Sequence, residues 1–274
     1  MTRVQDTVHE SPSAKSRVLH RGEHGPARVL RLGILLLAAA WIGRAHAGPP
    51  FYTDDPEPVD YGHNEFYVFS TLDQSNGTNA VEGPAIEYNR GIAPNIQFHV
   101  VLPFSGFWPA TGGGAYGLGD VETGIKCRFI DETDDRPQIG IFPMAEIATG
   151  SARRGLGNGR TWYRLPLWIQ KSWGPWTSYG GVGLAINHAP GMRDATFGGW
   201  LIQRSWGRHL VLGGEVFRQN ALSIGAHGYM LLNLGGYYNV TSGFSLLFSA
   251  GHSLAGEQHG VAYLGLYWTW ASHG

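Results

Sequence analysis

Charged side chains at alternate positions of short, otherwise apolar segments are the residues of this sequence best placed to do chemistry. In the run Asp120–Phe129, Glu122, Lys126 and Arg128 share one parity, while the opposite parity is apolar or weakly polar. A period of two puts alternate side chains on opposite faces of a β-strand. The run therefore predicts a strand whose charged face either meets solvent in a soluble sandwich or lines the lumen of a membrane barrel.

Four further charged residues show the same pattern, and the whole set is the predicted lining of a barrel lumen. These lumen candidates are Glu87, Glu122, Lys126, Arg128, Glu146, Arg164 and Glu215. Strand geometry separates the two bases of the first run by about 7 Å, and Lys126 from Glu122 by about 13 Å. Their partners are therefore expected across the barrel, from the three glutamates on other strands. Such charges form either an ion-pair lattice that holds the barrel or a selectivity ring for solutes.

Two other patterns could carry chemistry, and both have a simpler interpretation. Gly112–Gly117 satisfies Gly-x-Gly-x-x-Gly, but a dinucleotide site needs a helix after it, and here a strand is predicted, so we expect an exterior loop. His252 and Ser253 invite comparison with lipid hydrolases that are barrels, yet adjacent strand residues point apart and cannot act as nucleophile and base. The histidines stand singly, so we predict no metal site and no cofactor.

Residues 48–61 combine four prolines with four acids. The prolines forbid a helix or a central strand, so the segment predicts an extended periplasmic lead-in or a partial plug. A cation site is the alternative for the acids Asp54, Asp55, Glu57 and Asp60. The spacing lacks the glycine turn and terminal glutamate of a calcium loop, which disfavours that alternative.

Composition favours many short strands. The chain has 41 Gly, 10 Trp, 12 Tyr and 12 Phe among 274 residues, with 15% charged. Such a composition suits strands with tight turns and argues against a helical bundle. Seven of the 20 Lys and Arg and three of the 21 Asp and Glu precede residue 48, which leaves residues 48–274 with a net charge of −5. That balance does not fit nucleic-acid binding. Cys127 is the single cysteine, so no internal disulfide forms.

Residues 1–47 predict a signal peptide with a long N-terminal extension. Arg28 and Arg31 precede the apolar run Leu32–Ile42, and Ala45–Ala47 supplies the small-x-small site, so we predict cleavage after Ala47. The apolar run is too short to span a bilayer comfortably.

From residue 62 onward the chain repeats one pattern, in which a break follows about ten to thirteen alternating residues. The predicted strands are His63–Gln74, Val81–Arg90, Asn95–Ser105, Gly119–Ile130, Gln138–Thr149, Thr161–Ser172, Trp176–Asn187, Thr196–Trp206, His209–Gln219, His227–Asn239, Phe244–Leu254 and Gly260–Ala271. Aromatic residues crowd the strand ends, as the interfacial girdles of a membrane barrel require. The eighth strand has no predicted orientation, because Trp200 and Arg204 share a parity.

The breaks between strands alternate in kind. One set is tight: Gly91–Pro94, Asp131–Pro137, Trp173–Pro175, Gly207–Arg208 and Val240–Gly243. The other set tends to be longer and glycine-rich: Ser75–Ala80, Gly106–Leu118, Gly150–Arg160, His188–Ala195, Asn220–Ala226 and Ala255–His259. Short turns on one side and longer loops on the other are typical of outer-membrane barrels.

Three segments carry a family resemblance: Phe51–Pro58, Gly62–Tyr67 and Gly117–Asp120, the last followed by Lys126 and Arg128. They resemble the outer-membrane proteins known as the MetA-pathway of phenol degradation family, often labelled transporters. The resemblance extends from about residue 51 to the C-terminus. It implies an outer-membrane barrel that takes up small compounds, and the family's name suggests aromatic ones.

The C-terminus departs from the usual barrel pattern. Barrels of this kind commonly end in an aromatic residue that the barrel-assembly machinery reads, whereas this chain ends Ala271–Gly274. Trp270 is therefore expected to serve as that signal.

These patterns predict an all-β protein, a transmembrane antiparallel up-and-down β-barrel of about 12 strands over residues 62–274. We expect it in the outer membrane of a Gram-negative cell, with outer-membrane lipids, the assembly machinery and a small-molecule solute as partners. The predicted function is a channel for passive uptake of small molecules, including hydrophobic or aromatic ones, and not an enzyme. A closed structural or surface-interaction barrel is the alternative, and a lipid-modifying hydrolase the third reading.

Overall fold

Backbone hydrogen bonds join 14 strand segments into one antiparallel sheet whose first and last segments also pair with each other. The computed structural model describes residues 49–272, so the predicted signal peptide lies outside the described residues. The segments are β1 His63–Ser75, β2 Thr78–Ala93, β3 Ile96–Trp108, β4 Ala115–Leu118, β5 Val121–Ile130, β6 Gln138–Ile141, β7 Met144–Ile147, β8 Trp162–Trp173, β9 Trp176–Ile186, β10 Ala195–Trp206, β11 Leu210–Gln219, β12 Tyr229–Thr241, β13 Phe244–Gly256 and β14 His259–Ala271. A 3-10 helix, Ala152–Arg154, lies between β7 and β8.

The 14 segments form the 12 wall strands of a closed barrel, which confirms the predicted strand count. Each wall strand, whether continuous or interrupted, is called a stave below. Segments β4 and β5 are two parts of one stave, because both pair with β3 at different heights. Segments β6 and β7 likewise share one stave between β5 and β8. Pro143 falls in the second interruption, where its missing N–H cannot continue a ladder.

The barrel closes over the full length of β1 and β14. Their register runs without a shift from His63 opposite Ala271 to Ser75 opposite His259. The closure leaves neither strand as a free edge, and this distinguishes the fold from a sandwich of two sheets.

Polar residues lie inside the barrel and apolar residues outside, the reverse of a soluble protein. Leu184, Leu234 and Leu264 expose 53%, 59% and 66% of their surface on the outer face. Gln203 and Asn233 are almost completely buried on the inner face. Hydrocarbon around the barrel is the environment that satisfies such an exterior. Two clusters of buried aromatic and aliphatic side chains share the interior with the polar groups.

The structure orients the strand that the sequence left ambiguous. In β10 Leu201 and Gln203 point inward, whereas Trp200 and Arg204 point outward. The Arg204 guanidinium lies 5.2 and 4.3 Å from the ring centroids of two tryptophans near the turn, Trp176 and Trp206. Stacking on aromatic rings at the end of the strand lets an outward-facing stave carry a positive charge.

The connections divide between the two ends of the barrel. At one end, called the turn end, lie the connections 94–95, 131–137, 174–175, 207–209 and 242–243, together with both ends of the barrel sequence. At the other, the loop end, lie 109–114, 148–161, 187–194 and 220–228. Two loop-end connections are shorter than predicted, since residues 76–77 and 257–258 are two-residue turns. Asn76 and Gly77 both have positive φ, as the tight turns favoured in hairpins require.

Residues 50–59, called here the internal segment, run through the interior of the barrel. Thr53 and Asp55 have no exposed surface, and Pro56 is also fully buried. The segment contacts inward side chains of β3, β5, β11 and β13. The predicted lead-in therefore lies largely within the lumen.

Two adjacent residues of β14 test which face meets lipid. Leu264→Arg should lower the free energy of unfolding by roughly 2–4 kcal/mol, because Leu264 lies near mid-strand on the outer face. Tyr263→Arg should cost much less, since its side chain faces the lumen and Glu87 and Glu82 lie near enough to attract a cation there. Urea titration of barrels refolded in lipid vesicles measures both, and equal penalties would contradict the assignment.

Candidate functional site

The structure places all seven lumen candidates at inward positions of the barrel wall. Glu87, Lys126 and Glu215 are buried, with 6%, 4% and 1% of their surfaces exposed. Glu122, Arg128, Glu146 and Arg164 are half-buried. The set does not form one ring, because the residues separate into an internal-segment site, an ion network and a group near the turn end.

Glu215 of β11 holds the start of the internal segment by its backbone. Its two carboxylate oxygens accept hydrogen bonds from the consecutive N–H groups of Tyr52 and Thr53, at 2.8 and 2.7 Å. The amide of Asn233 donates to the same carboxylate at 3.0 Å. The Tyr52 ring stacks on Phe217, two residues further along β11, at 5.2 Å between centroids. Three donors on one carboxylate offset part of the cost of burying it, so Glu215 holds the segment through hydrogen bonds without a cation.

Lys126 of β5 holds the middle of the internal segment by charge. Its ammonium nitrogen lies 3.0 Å from Asp54 and 3.6 Å from Asp55. The same nitrogen lies 5.0 Å above the Phe142 ring. The expectation that a glutamate on another strand would pair with Lys126 is therefore wrong. The partners lie 72 and 71 residues earlier in the chain, on a segment outside the barrel pattern.

Desolvation opposes the insertion of these acids. Burial raises the pKa of the Asp55 carboxyl well above its usual range, and the charge of Lys126 lowers it in part. Seating the internal segment thus depends on the cation, because an uncompensated buried carboxylate is costly.

Side-chain amides and a hydroxyl hold the remainder of the internal segment. The Gln97 carbonyl accepts from the N–H of Val59 at 2.8 Å, and the Ser249 hydroxyl donates to the carbonyl of Pro50 at 2.7 Å. The amide of Gln170 donates to Glu57 at 3.2 Å. These contacts come from widely separated staves, so the segment crosses the interior instead of following one wall.

Arg128 lies nearer the turn end and reaches the internal segment only through Gln138, whose amide donates to Glu57 at 3.4 Å. Its guanidinium donates to Asn95 at 2.6 Å and to Gln138 at 3.0 Å, and lies 2.9 Å from the carboxylate of Asp131. Asp131 is the first residue after β5, so the partner of Arg128 lies directly beside its own strand. The expectation of a partner across the barrel is wrong for Arg128 as well.

An ion network on β2, β3, β5, β7 and β8 brings four of the candidates together. Arg164 contacts Glu122 directly and lies 3.4 Å from Glu146. The His99 ring lies between Glu122, at 2.8 Å from Nε2, and Glu87, at 3.6 Å from Nδ1. Three carboxylates around one guanidinium and one imidazole form a compact, mostly acidic patch on the lumen wall.

Tyrosines line much of the interior opposite and beside this patch. Tyr67 and Tyr267 stack at 4.5 Å, and their hydroxyls donate to the Glu65 carboxylate at 3.0 and 2.8 Å. The hydroxyls of Tyr179 and Tyr237 are buried and have no hydrogen-bond partner among the described residues. Polarised aromatic rings beside carboxylates suit solutes that combine an aromatic or cationic body with polar groups.

The other chemical patterns lie away from this arrangement. The ring of His252 is on the outer face, whereas Ser253 is buried on the inner face and accepts a hydrogen bond from the backbone N–H of His259. Gly112–Gly117 leads into β4. Residues 49–272 contain no group of three or more His, Cys, Asp or Glu arranged to hold a metal ion. The acids of the internal segment instead serve as partners of Lys126 and the glutamine amides.

Sequence reasoning missed two parts of the site. His99 stands two residues from Gln97 on the inward parity of β3, and alternation puts both on the polar face, although His99 is not among the lumen candidates. Glu65 likewise alternates with outward residues of β1. The contacts of the internal segment could not be predicted in this way. A proline-rich segment has no hydrophobic periodicity, so its sequence does not indicate which side chains lie around it.

No family model matches the chain and no curated protein matches its sequence. The COG4313 outer membrane channel from Pseudomonas putida F1 aligns with a TM-score of 0.63 and 12% identity, over 82% of this chain and all of that one. The NanC porin aligns with a TM-score of 0.52 and 5% identity, over 74% of this chain and 98% of the porin.

A third similar structure is the translocator domain of the autotransporter NalP from Neisseria meningitidis. It aligns with a TM-score of 0.50 and 13% identity, over 88% of this chain and 96% of the domain. Within residues 49–272 no helix is both long and apolar enough to cross a membrane. The closed 12-stave barrel with its apolar exterior defines the class of this protein as a transmembrane β-barrel of the outer-membrane type.

The two bases of β5 predict different effects on the internal segment. Lys126→Gln leaves Asp54 and Asp55 without their cation in the barrel interior, and should weaken the holding of the segment by roughly 3–5 kcal/mol. Arg128→Gln is the matched control, because its carboxylate partner Asp131 is largely exposed and such pairs contribute only about 0–1 kcal/mol.

Limited proteolysis of residues 50–59, measured beside the heat-modifiability of the barrel, separates the two variants. The Lys126 variant should lose protection while its barrel remains folded. Equal protection in both variants would show that the charge pair does not hold the segment.

Proposed function

We propose that this protein is an outer-membrane channel for the passive uptake of small molecules, including hydrophobic and aromatic ones, and that the internal segment sets how open it is. The observation that carries this proposal is the way the segment is held. Its polar contacts are hydrogen bonds and ion pairs with inward side chains, Tyr52 also stacks on Phe217, and none of residues 50–59 pairs with the wall as a strand. Contacts of this kind can exchange for water without breaking the barrel's backbone ladder.

The lumen's composition supports a channel for polar-faced aromatic or cationic solutes. Carboxylates outnumber bases among the described inward residues: Asp54, Asp55, Glu57, Glu65, Glu82, Glu87, Glu122, Glu146 and Glu215 stand against Lys126, Arg128 and Arg164. Rings of carboxylates favour cations in channels. Stacked tyrosines beside them add aromatic surface to the lumen wall.

The resemblance to the MetA-pathway of phenol degradation family agrees with this proposal. The segments that carry it include Phe51–Pro58, which makes up most of the internal segment. If this chain belongs with that family, the family's Phe51–Pro58 motif lies inside the lumen, on the route that we propose for solutes. The similar Pseudomonas putida structure is that of an outer membrane channel, which also supports the proposal.

A closed structural barrel is the second candidate, and one observation favours it. Thr53, Asp55 and Pro56 are fully buried, so the segment fills part of the lumen tightly. A permanently filled lumen would brace the barrel and conduct nothing.

A reversible crosslink distinguishes the two functions. A Cβ added at Gly199 of β10 would overlap the Thr53 hydroxyl, so the two positions adjoin and, after a small local shift, Thr53→Cys with Gly199→Cys can join the segment to the wall. The background is Cys127→Ser, which removes the natural thiol. In planar bilayers the oxidised channel should stay closed, and reduction should raise its conductance several-fold. Each single cysteine variant is the control for the fold and for the reductant.

The same recording separates the functions. Identical low conductance before and after reduction, in barrels that remain heat-modifiable, would establish the closed structural role. Identical high conductance would show that the internal segment does not obstruct the lumen at all.

Matched organic cations test the solute class. Benzylammonium should interrupt the ion current for longer than butylammonium at equal concentration, because only the former can stack on the lumenal tyrosines. Tyr67→Leu should reduce the difference in interruption time between the two amines. Equal interruption times for the two amines in the unmodified channel would remove aromatic stacking from the selectivity.

A further inference from the structure

The outer wall of the barrel carries charge of one sign. Each Asp and Glu within the 14 strand segments lies at an inward position. The Lys and Arg residues at outward positions of these segments are Arg90, Lys171, Arg204 and Arg218. Anionic groups of the surrounding membrane are therefore the electrostatic complement of this wall.

Arg204 of β10 differs from the other three in how its side chain is held. Lys171 lies 3.4 Å from a carboxylate of the adjoining connection, and Arg218 donates to an asparagine side chain at 3.4 Å. Arg90 is exposed and has no cation–π contact within residues 49–272. Arg204 instead lies against two tryptophan rings.

These rings fix the Arg204 guanidinium on the outer surface of the barrel. Trp176 stands directly opposite Arg204 in the ladder, and Trp206 is 53% exposed. The Nε of Arg204 is buried and has no acceptor within residues 49–272, whereas the two terminal nitrogens remain accessible from outside. A guanidinium already held against rings loses little freedom when its outer edge binds an anion.

The neighbours of Arg204 supply no counterion. Its partners in the two adjoining ladders are Trp176 and Leu212, and the outward residues before and after it on β10 are Ile202 and Trp206. No carboxylate within residues 49–272 forms an ion pair with Arg204. The compensating charge must therefore come from outside the chain.

The height of Arg204 fits the boundary between hydrocarbon and headgroups. Arg204 stands two residues before Trp206, which ends β10 at the turn end. Two residues span about 7 Å along a strand, and a tilt of about 40° reduces this to a height of about 5 Å. Short turns of outer-membrane barrels face the periplasm, where the leaflet consists of glycerophospholipids. Their phosphodiester groups lie at this boundary.

We propose that Arg204, Trp176 and Trp206 bind the phosphodiester of a glycerophospholipid of the periplasmic leaflet, with an acyl chain along Ile202 and Leu212. The terminal guanidinium nitrogens donate charge-assisted hydrogen bonds to the phosphate oxygens. Ile202 and Leu212 expose 47% and 39% of their surfaces and supply apolar contact that a free phosphate cannot use. The inference rests on the barrel's place in the outer membrane and not on conduction.

The test is native mass spectrometry of the refolded barrel in detergent, titrated with dioleoylphosphatidylglycerol or with dioleoylglycerol, which lacks the phosphate. Arg204→Gln removes the charge, and Arg204→Lys keeps the charge without the planar fork. The matched control is Arg90→Gln, because Arg90 is an outward arginine three residues before the turn end of β2 without tryptophan contacts. Heat-modifiability verifies the fold of each variant.

Arg204→Gln should bind the phospholipid about tenfold more weakly, and Arg204→Lys several-fold more weakly, while Arg90→Gln matches the unmodified protein. Dioleoylglycerol should bind the unmodified protein about tenfold more weakly as well. Equal affinity in Arg204→Gln, or for dioleoylglycerol, would overturn the site. Equal losses in the Arg204 and Arg90 variants would show general charge attraction and overturn it too. Displacement by inorganic phosphate at the concentration of the phospholipid would overturn the lipid assignment.

Conductance of the same preparations keeps this proposal separate from channel function. Arg204→Gln should leave the conductance unchanged, because the Arg204 side chain lies outside the lumen. A barrel that binds the phospholipid in the predicted way but never conducts supports the lipid site and refutes the channel. If Arg204→Gln changes the benzylammonium interruptions, Arg204 acts on the solute route and the lipid assignment is wrong.

Discussion

Hydrocarbon offers no water to the backbone, so the pairing of β1 with β14 is the interaction on which the rest of this molecule depends. Each strand of the wall can pair with a neighbour on both sides only because the first and last strands pair with each other. The two interruptions in the wall obey the same constraint. The carbonyl of Pro143 accepts from the N–H of Ile125, and the N–H of Gly119 donates to the carbonyl of Pro103. Breaks in the strands thus leave few backbone groups without partners.

Closure also creates an interior in which polar groups can be satisfied by one another. The internal segment has no ladder, yet most of its backbone donors have partners. Prolines supply none, the N–H groups of Tyr52 and Thr53 donate to Glu215, and that of Val59 donates to Gln97. The N–H of Asp55 donates to the side chain before it. A proline-rich sequence is therefore well suited to a place where wall side chains are the available acceptors.

Alternation located the staves and their faces from sequence because each strand has lipid on one side and the lumen on the other. The same signal failed at β10, where Arg204 lies outside on two tryptophans. The partners of Lys126 could not be found, because a period of two reports which face a residue occupies but not what stands opposite it. The turn at Asn76 and Gly77 was available in the sequence as an Asn-Gly pair between alternating runs.

The internal segment is covalently tied to the wall that holds it. Only residues 60–62 separate Val59 from the start of β1. A linker this short gives the segment an effective concentration in the lumen on the order of millimolar or above. Contacts too weak to retain a free peptide therefore suffice to keep the segment in place, and it rebinds after every release. Occupancy of the lumen is consequently independent of protein concentration, and in the proposed channel a solute would compete with a ligand that never diffuses away.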